Sequence, residues 1–348
     1  MEQEYRIRLL DATLRDGGFG LEDAYKNRIA DVGFAAKIRE HILLDTQKAK
    51  FDIIEIGSLE RNGKDNRRFE IYETIEEISA NIPNKNEAES MYAIMFRGPD
   101  IPLTEIPDWR PGLCDAVRLI VRYSELQKSL DYCRGLVAKG YKVFIQPMLT
   151  MRYTDDELDL VIREANDMKA YAVYFVDSYG YMTGKDTLRF AKLFDEKLDP
   201  EICLGFHGHN NMNLAFSNAK EFLRYPTERN VIVDSCFLGM GQGAGNLQTE
   251  IIADYLNRYY GKQYDYDSVL DGCEQIETFL QPNLWGYSVT TLIPAILHVA
   301  YKYAIVFRNQ YKLSYKEIYH ILSHIPENMR HRYTPENASI LVRDFNKG

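Results

Sequence analysis

No two cysteines in this chain are spaced as a metal-binding or redox pair. Cys114, Cys133, Cys203, Cys236 and Cys273 are scattered, which excludes a C-x-x-C motif and fits reduced thiols in a cytoplasmic protein. Long apolar runs are missing too: none approaches the ~18 residues of a membrane helix. Basic residues are in deficit, 42 Lys and Arg against 51 Asp and Glu, a net charge of −9. That balance argues against nucleic acid or an anionic membrane as a partner. It leaves room for a small anionic substrate, since one local cationic site is enough. The opening residues Met1-Glu2-Gln3-Glu4-Tyr5 are acidic and polar, so no signal peptide is expected. No G-x-G-x-x-G follows an early strand, which counts against a doubly wound dinucleotide fold. The glycines of "GMGQGAG" (239–245) come late, and no P-loop lysine follows them.

What is present is a soluble, globular composition: 348 residues, 45% hydrophobic and 27% charged. Short runs rich in Val, Ile, Phe and Tyr recur at 7–14, 51–58, 90–96, 115–121, 141–148, 171–178, 203–209 and 230–237. Most intervals between them carry helical periodicity. The 124–140 segment repeats apolar residues at helical spacing and stops at Gly140. Thr154 and Glu157 form a capping-box pattern ahead of a helix to 169. The 60–89 stretch is polar and reads as a long loop plus a helix. Eight strands alternating with helices predict an α/β fold, a TIM (β/α)8 barrel. The rhythm stops near residue 255, so the chain divides into a barrel over 1–257 and a C-terminal helical extension over 258–348. Within the extension, 287–307 and 314–325 read as helices.

In "CLGFHGHNNMNLAFSNA" (203–219), His207 and His209 stand two residues apart at the end of the seventh strand run. Residues i and i+2 share one face of a strand, and the C-terminal strand ends of such barrels carry their chemistry. Two neutral imidazoles there suit a divalent metal, although a lone H-x-H is more often structural. The pair needs a carboxylate, and "LDATLRDGG" (10–18) offers Asp16 at the end of the first strand run. Arg15 beside it would face a substrate oxyanion, or simply pair with Asp11 or Asp16.

Three motifs in order, "LLDATLRDGG", "GFHGHNNMNLAFSNA" and "GMGQGAGNLQTE", resemble the DRE-TIM metallolyases. That group includes 4-hydroxy-2-oxovalerate aldolases, hydroxymethylglutaryl-CoA lyases and the isopropylmalate and homocitrate synthases. The resemblance spans about residues 7–255. It implies that Asp16, His207 and His209 hold the metal, with Asn246 in or near its shell. It implies Arg15 as the group that stabilises an enolate, and Glu55, Asp177 and Ser178 as mouth residues binding substrate or water. The "WGYSVTTLIPA" segment (285–295) resembles the aldolases' tail, which implies Tyr287 as a residue reaching the site. In those aldolases the tail meets an aldehyde dehydrogenase partner.

One position departs from the pattern. Where the aldolases carry a histidine three residues after the aspartate, this chain has Phe19, and the synthases' acidic residue is replaced by Gly18. Tyr287, Glu55 and a metal-bound hydroxide are the candidates for moving the proton. The expected activity is that of a metal-dependent aldolase, cleaving a 4-hydroxy-2-oxo acid to a pyruvate-type enolate and an aldehyde, or the reverse. Manganese or magnesium is the expected metal, with zinc and cobalt as alternatives. A Claisen-type acyl-CoA synthase or lyase, and a non-catalytic metabolite-binding or partner subunit, are the rival readings. A homodimer is the expected assembly. His298, His320, His324 and His331 read as surface or packing residues.

Overall fold

The computed structural model describes residues 6–26, 33–60, 67–83, 85, 89–279 and 285–346. Nine parallel strands run through it: β1 (Ile7–Asp11), β2 (Ile53–Leu59), β3 (Ile71–Tyr72), β4 (Met91–Phe96), β5 (Ala116–Val121), β6 (Lys142–Pro147), β7 (Ala172–Asp177), β8 (Cys203–Gly208) and β9 (Val231–Ser235). Their order is β1-β9-β8-β7-β6-β5-β4-β2-β3, and a further β1–β2 pairing closes eight of them into a ring. This is a TIM barrel followed by C-terminal helices. The ninth strand, β3, is a two-residue pairing on the flank of β2.

The strand runs are almost wholly buried, as parallel strands covered on both faces must be. Two of the helices expected from periodicity form at Leu126–Ala138 and Asp155–Met168. The second carries the Thr154–Glu157 capping box.

Three local expectations need correction. The first strand stops at Asp11, not at residue 14, and Thr13–Lys26 is a helix, α1. The Asp11 carboxylate accepts from the Thr13 backbone N–H at 3.1 Å and from its hydroxyl at 2.8 Å. This turns the chain out of extended geometry, so Arg15 and Asp16 ride on the opening turns of a helix. The 60–89 stretch contains β3 and the helix Ile75–Ala80, while 61–66, 84 and 86–88 lie outside the described residues, as does the opening segment 1–5. The run 287–307 is two helices, Val289–Ile296 and Lys302–Asn309. Between them His298 takes a left-handed backbone (φ 54°), which a continuous helix cannot contain.

The helix Tyr266–Phe279 packs Val269, Cys273 and Ile276 into the barrel's core. From Ile293 to Val342 the tail has a separate apolar cluster. It meets the barrel's catalytic end through aromatic groups: the Tyr301 hydroxyl donates to Asp23 of α1 at 2.5 Å, and Tyr179 donates to the His331 carbonyl at 2.8 Å. His298 stacks on Tyr181, ring centres 4.4 Å apart. Among the described residues, no helix is long and apolar enough to cross a membrane.

Candidate metal centre

β8 delivers His207 from its last turn of pleat, and His209 follows one residue past the strand, held by an isolated bridge to Asn246. α1 brings Asp16 across the mouth. One ligand atom from each of Asp16, His207 and His209 lies within 4.8 Å of the others. The Nε2 atoms of both histidines are 3.9 Å from Asp16 Oδ2. All three residues are buried.

Each imidazole is oriented from behind. His207 Nδ1 lies 2.9 Å from Asp234 Oδ2 on β9, and His209 Nδ1 lies 3.3 Å from the Gln242 carbonyl. A carbonyl can only accept, and an ionised carboxylate can only accept, so both Nδ1 atoms carry the proton. Both Nε2 lone pairs are left facing Asp16, the tautomer that binds a metal. Burial pushes the His209 pKa down to about 4, more than the nearby Asp16 carboxylate can restore, so the ring is neutral at neutral pH. Burial works against the Asp16 carboxylate, yet Arg15, the two imidazoles and Asn246 hold its pKa at about 2.

The donor set fits a divalent cation. Two imidazole nitrogens and a carboxylate oxygen converge, and buried Asn246 Oδ1 beside them has no hydrogen-bond partner among the described residues while its Nδ2 donates to Asp16. Charge points the same way. Asp16, Glu55 and Asp234 meet Arg15 and Arg118 in one buried set of ion pairs. Three carboxylates against two guanidiniums leave one negative charge uncompensated away from water, which a cation offsets.

Behind the ligands, Arg15 Nε donates to Glu55 Oε2 at 2.6 Å, and its Nη1 pairs with Asp16. Arg118 Nη1 reaches the same Glu55 oxygen at 2.6 Å, and its Nη2 pairs with Asp234. Tyr174 donates to the other Asp234 oxygen at 3.0 Å. Two glycines make room for this arrangement. A Cβ on Gly205 would fall 2.2 Å from the Tyr174 ring, and one on Gly241 (φ 155°) would fall 2.2 Å from Asn246 Nδ2.

The structure thus brings together Asp16, His207, His209, Asn246, Arg15 and Glu55. Asp177 touches the site through its backbone carbonyl, which accepts from the His209 N–H at 3.2 Å. The Asp177 carboxylate accepts the backbone N–H groups of Tyr181 and Met182 at 2.9 and 3.0 Å, and Ser178 accepts from the Leu149 N–H. Both shape the loop after β7. Tyr287 is 57% exposed and makes no hydrogen bond among the described residues. Sequence reasoning missed Arg118, Asp234 and Arg97. Charged residues inside the apolar runs "AVRLIV" and "VIVDS" were the available signal for the first two. Arg97, just after β4, lies with its guanidinium carbon 4.0 Å from the Phe19 ring centre, and Arg15 lies 5.4 Å from the same centre.

A closed parallel barrel with an aspartate and two histidines at its C-terminal mouth has the form of a barrel protein with a candidate metal site. Residues 120–274 of this chain match the model of the HMGL-like family. The chain is 25% identical to an oxaloacetate decarboxylase of Mycobacterium tuberculosis over 80% of its own length and 78% of that protein. It is 30% identical to a 4-hydroxy-2-oxovalerate aldolase of Burkholderia pseudomallei over 48% of its own length and 47% of the aldolase, so it spans about half of that relative. An HMG-CoA lyase from Brucella melitensis shares the fold, with a TM-score of 0.61 at 12% identity, covering 78% of this chain and 98% of that one. The protein is an enzyme, as these named relatives are.

Proposed function

We propose that the protein makes or breaks the carbon–carbon bond one atom beyond the carbonyl of a 2-oxo acid, through an enolate of the pyruvate type, as an aldolase acting on a 4-hydroxy-2-oxo acid. The observation that carries this is the convergence of Asp16, His207 and His209 within 4.8 Å beside a buried arginine. Asp16, His207, His209 and Asn246 would hold a divalent ion, manganese or magnesium in this reading. Such an ion supplies Lewis acidity toward the carboxylate and 2-oxo oxygens of a substrate.

The chain's own groups do the rest. With Nε and Nη1 engaged by Glu55 and Asp16, Arg15 has Nη2 left to donate to the enolate oxygen. Removing one such donor costs roughly 10²–10³ in rate. Glu55 Oε1 is buried without a hydrogen-bond partner among the described residues, so it is the acceptor we assign to the substrate hydroxyl proton. A positioned base contributes roughly 10²–10⁴.

Phe19 favours a second reading. Decarboxylation of a 3-carboxy-2-oxo acid also yields the enolate, but its leaving group is carbon dioxide and no hydroxyl proton has to be removed. A phenyl ring packed between Arg15 and Arg97 is compatible with that reaction, and the relative named oxaloacetate decarboxylase supports it. The test is metal analysis, followed by assays of the Mn²⁺-loaded protein with pyruvate plus a panel of aldehydes, and separately with oxaloacetate. Adduct formation identifies the aldolase, and carbon dioxide release above the metal-only rate identifies the decarboxylase. Neither product, with no deuterium exchange at C3 of pyruvate, overturns both.

A further inference from the structure

Five buried charged side chains and one imidazole form a closed circuit across the barrel. Asp16 pairs with Arg15, Arg15 with Glu55, Glu55 with Arg118, Arg118 with Asp234, and Asp234 with His207. His207 Nε2 then faces Asp16 at 3.9 Å. The circuit passes through α1, β2, β5, β9 and β8, so no two consecutive members other than Arg15 and Asp16 come from one element. Arg118 is its centre and has no solvent exposure. Two further donors are used as well: with the Gln146 amide oxygen turned inward, that oxygen accepts from Nη2 and Nε at 3.0 and 3.2 Å. The Tyr174 ring lies 5.0 Å from the guanidinium carbon.

A fully desolvated arginine with four of its five N–H groups bonded is costly to assemble, and replacing such a group by apolar side chains is often neutral or stabilising. Its place here is explained by what its two arms hold. One arm fixes Asp234 behind His207, the histidine with the Nε2 lone pair aimed at Asp16. The other fixes Glu55 behind Arg15. We infer that Arg118 is the positioning residue that ties the metal-binding edge of the site to its substrate-binding edge, setting the direction of His207 Nε2 and of the Arg15 guanidinium together. This rests on the reading of Asp16, His207 and His209 as ligands and of Arg15 as the enolate's partner.

Only a planar fork reaches two carboxylates at once, whereas a lysine ammonium is a point charge. Arg118→Lys keeps the charge and loses the bridge. In the metal-free protein, the His207 Nδ1–H resonance seen by nitrogen-15 NMR should move or broaden as Asp234 is released. Mn²⁺ affinity, by calorimetric titration, should fall about 10- to 100-fold, the usual cost of losing a group that orients a ligand. Pyruvate affinity of the Mn²⁺-loaded protein should fall as well. Combined with Asp234→Asn, the losses in Mn²⁺ affinity should be less than additive, because both act on one arm. A His207 resonance and Mn²⁺ affinity that match the wild type, in folded Arg118→Lys, overturn the inference, as do fully additive losses. If that variant fails to fold, Gln146→Met removes only the acceptor that seats the Arg118 head. The same changes at smaller size support the inference, and none overturns it. A wild type that takes up no Mn²⁺ sinks the metal reading alone, since the His207 resonance of the metal-free protein still decides the role of Arg118.

Discussion

The guanidinium carbon of Arg97 stands 4.0 Å from the centre of the Phe19 ring, at the position where the aldolases that this chain resembles carry a histidine. Arg97 also pairs with Glu22 at 2.7 Å and Glu60 at 3.0 Å. The aromatic face is therefore a cation's packing surface, a contact worth about 0.5–2 kcal/mol. It places no proton-transfer group beside Arg15.

Restoring that group is the first prediction. Phe19→His should raise aldol cleavage of a 4-hydroxy-2-oxo acid by roughly 10²-fold or more if the imidazole reaches the substrate hydroxyl. Oxaloacetate decarboxylation should stay level or fall. Steady-state rates with the two substrates check this, and equal effects on both would contradict it.

Loss of a ligand should act on binding before it acts on chemistry. His209→Ala and Asp16→Asn should each weaken Mn²⁺ binding at least 10-fold, as read by electron paramagnetic resonance of free Mn²⁺. Circular dichroism of the metal-free variants should match the wild type. Retained affinity in both variants would remove the proposed site.

Acid should destabilise the metal-free protein through His209. Its folded pKa is about 4, against an ordinary 6.5, because burial disfavours the charged ring. Between those values the unfolded chain binds the extra proton and the folded chain does not. This contribution to stability is therefore present above pH 6.5 and is lost progressively as pH falls toward 4. Denaturant midpoints across that range should show the decline, and His209→Gln should flatten it.

Gly205→Ala tests the packing that supports the site. The added Cβ falls 2.2–2.4 Å from three atoms of the Tyr174 ring, so the ring must move and its bond to Asp234 must break. We expect a loss of about 1–3 kcal/mol in urea unfolding, as for other overpacked cores, together with weaker Mn²⁺ binding. Tyr174→Phe, which keeps the ring and removes the hydroxyl, should weaken binding with a smaller loss of stability.

The tail's grip on α1 is also measurable. Tyr301→Phe removes the 2.5 Å bond to Asp23 on α1 while leaving the Lys302–Asp23 pair at 2.6 Å. A hydrogen bond to a charged partner is worth about 1.5–3 kcal/mol. Hydrogen exchange along α1 should quicken accordingly, and unchanged exchange would show that the tail does not brace it.

Much of this was legible in the linear chain. Eight apolar strand runs alternating with amphipathic helices predict an α/β barrel, because parallel strands buried on both faces and helices buried on one leave different hydrophobic periods. His207 and His209 were legible for a similar reason: alternation along a strand puts i and i+2 on one side, whatever surrounds it. The boundary at Asp11 was not, because "LLDATL" reads as strand until its aspartate is seen folding back onto Thr13. Nor was the fate of Asp177, whose carboxylate is consumed by backbone N–H groups of its own loop.

The sequence alone determined the eight strand runs and the imidazole pair, properties set by spacing over a few residues, while Asp16 entered through the resemblance of its motif. Tertiary structure alone decided that Arg118 stands between Glu55 and Asp234, residues separated from it by 63 and 116 positions. Local pattern carries the period of burial, but the pairing of buried charges depends on which strands close the ring, and closure is a property of the whole chain.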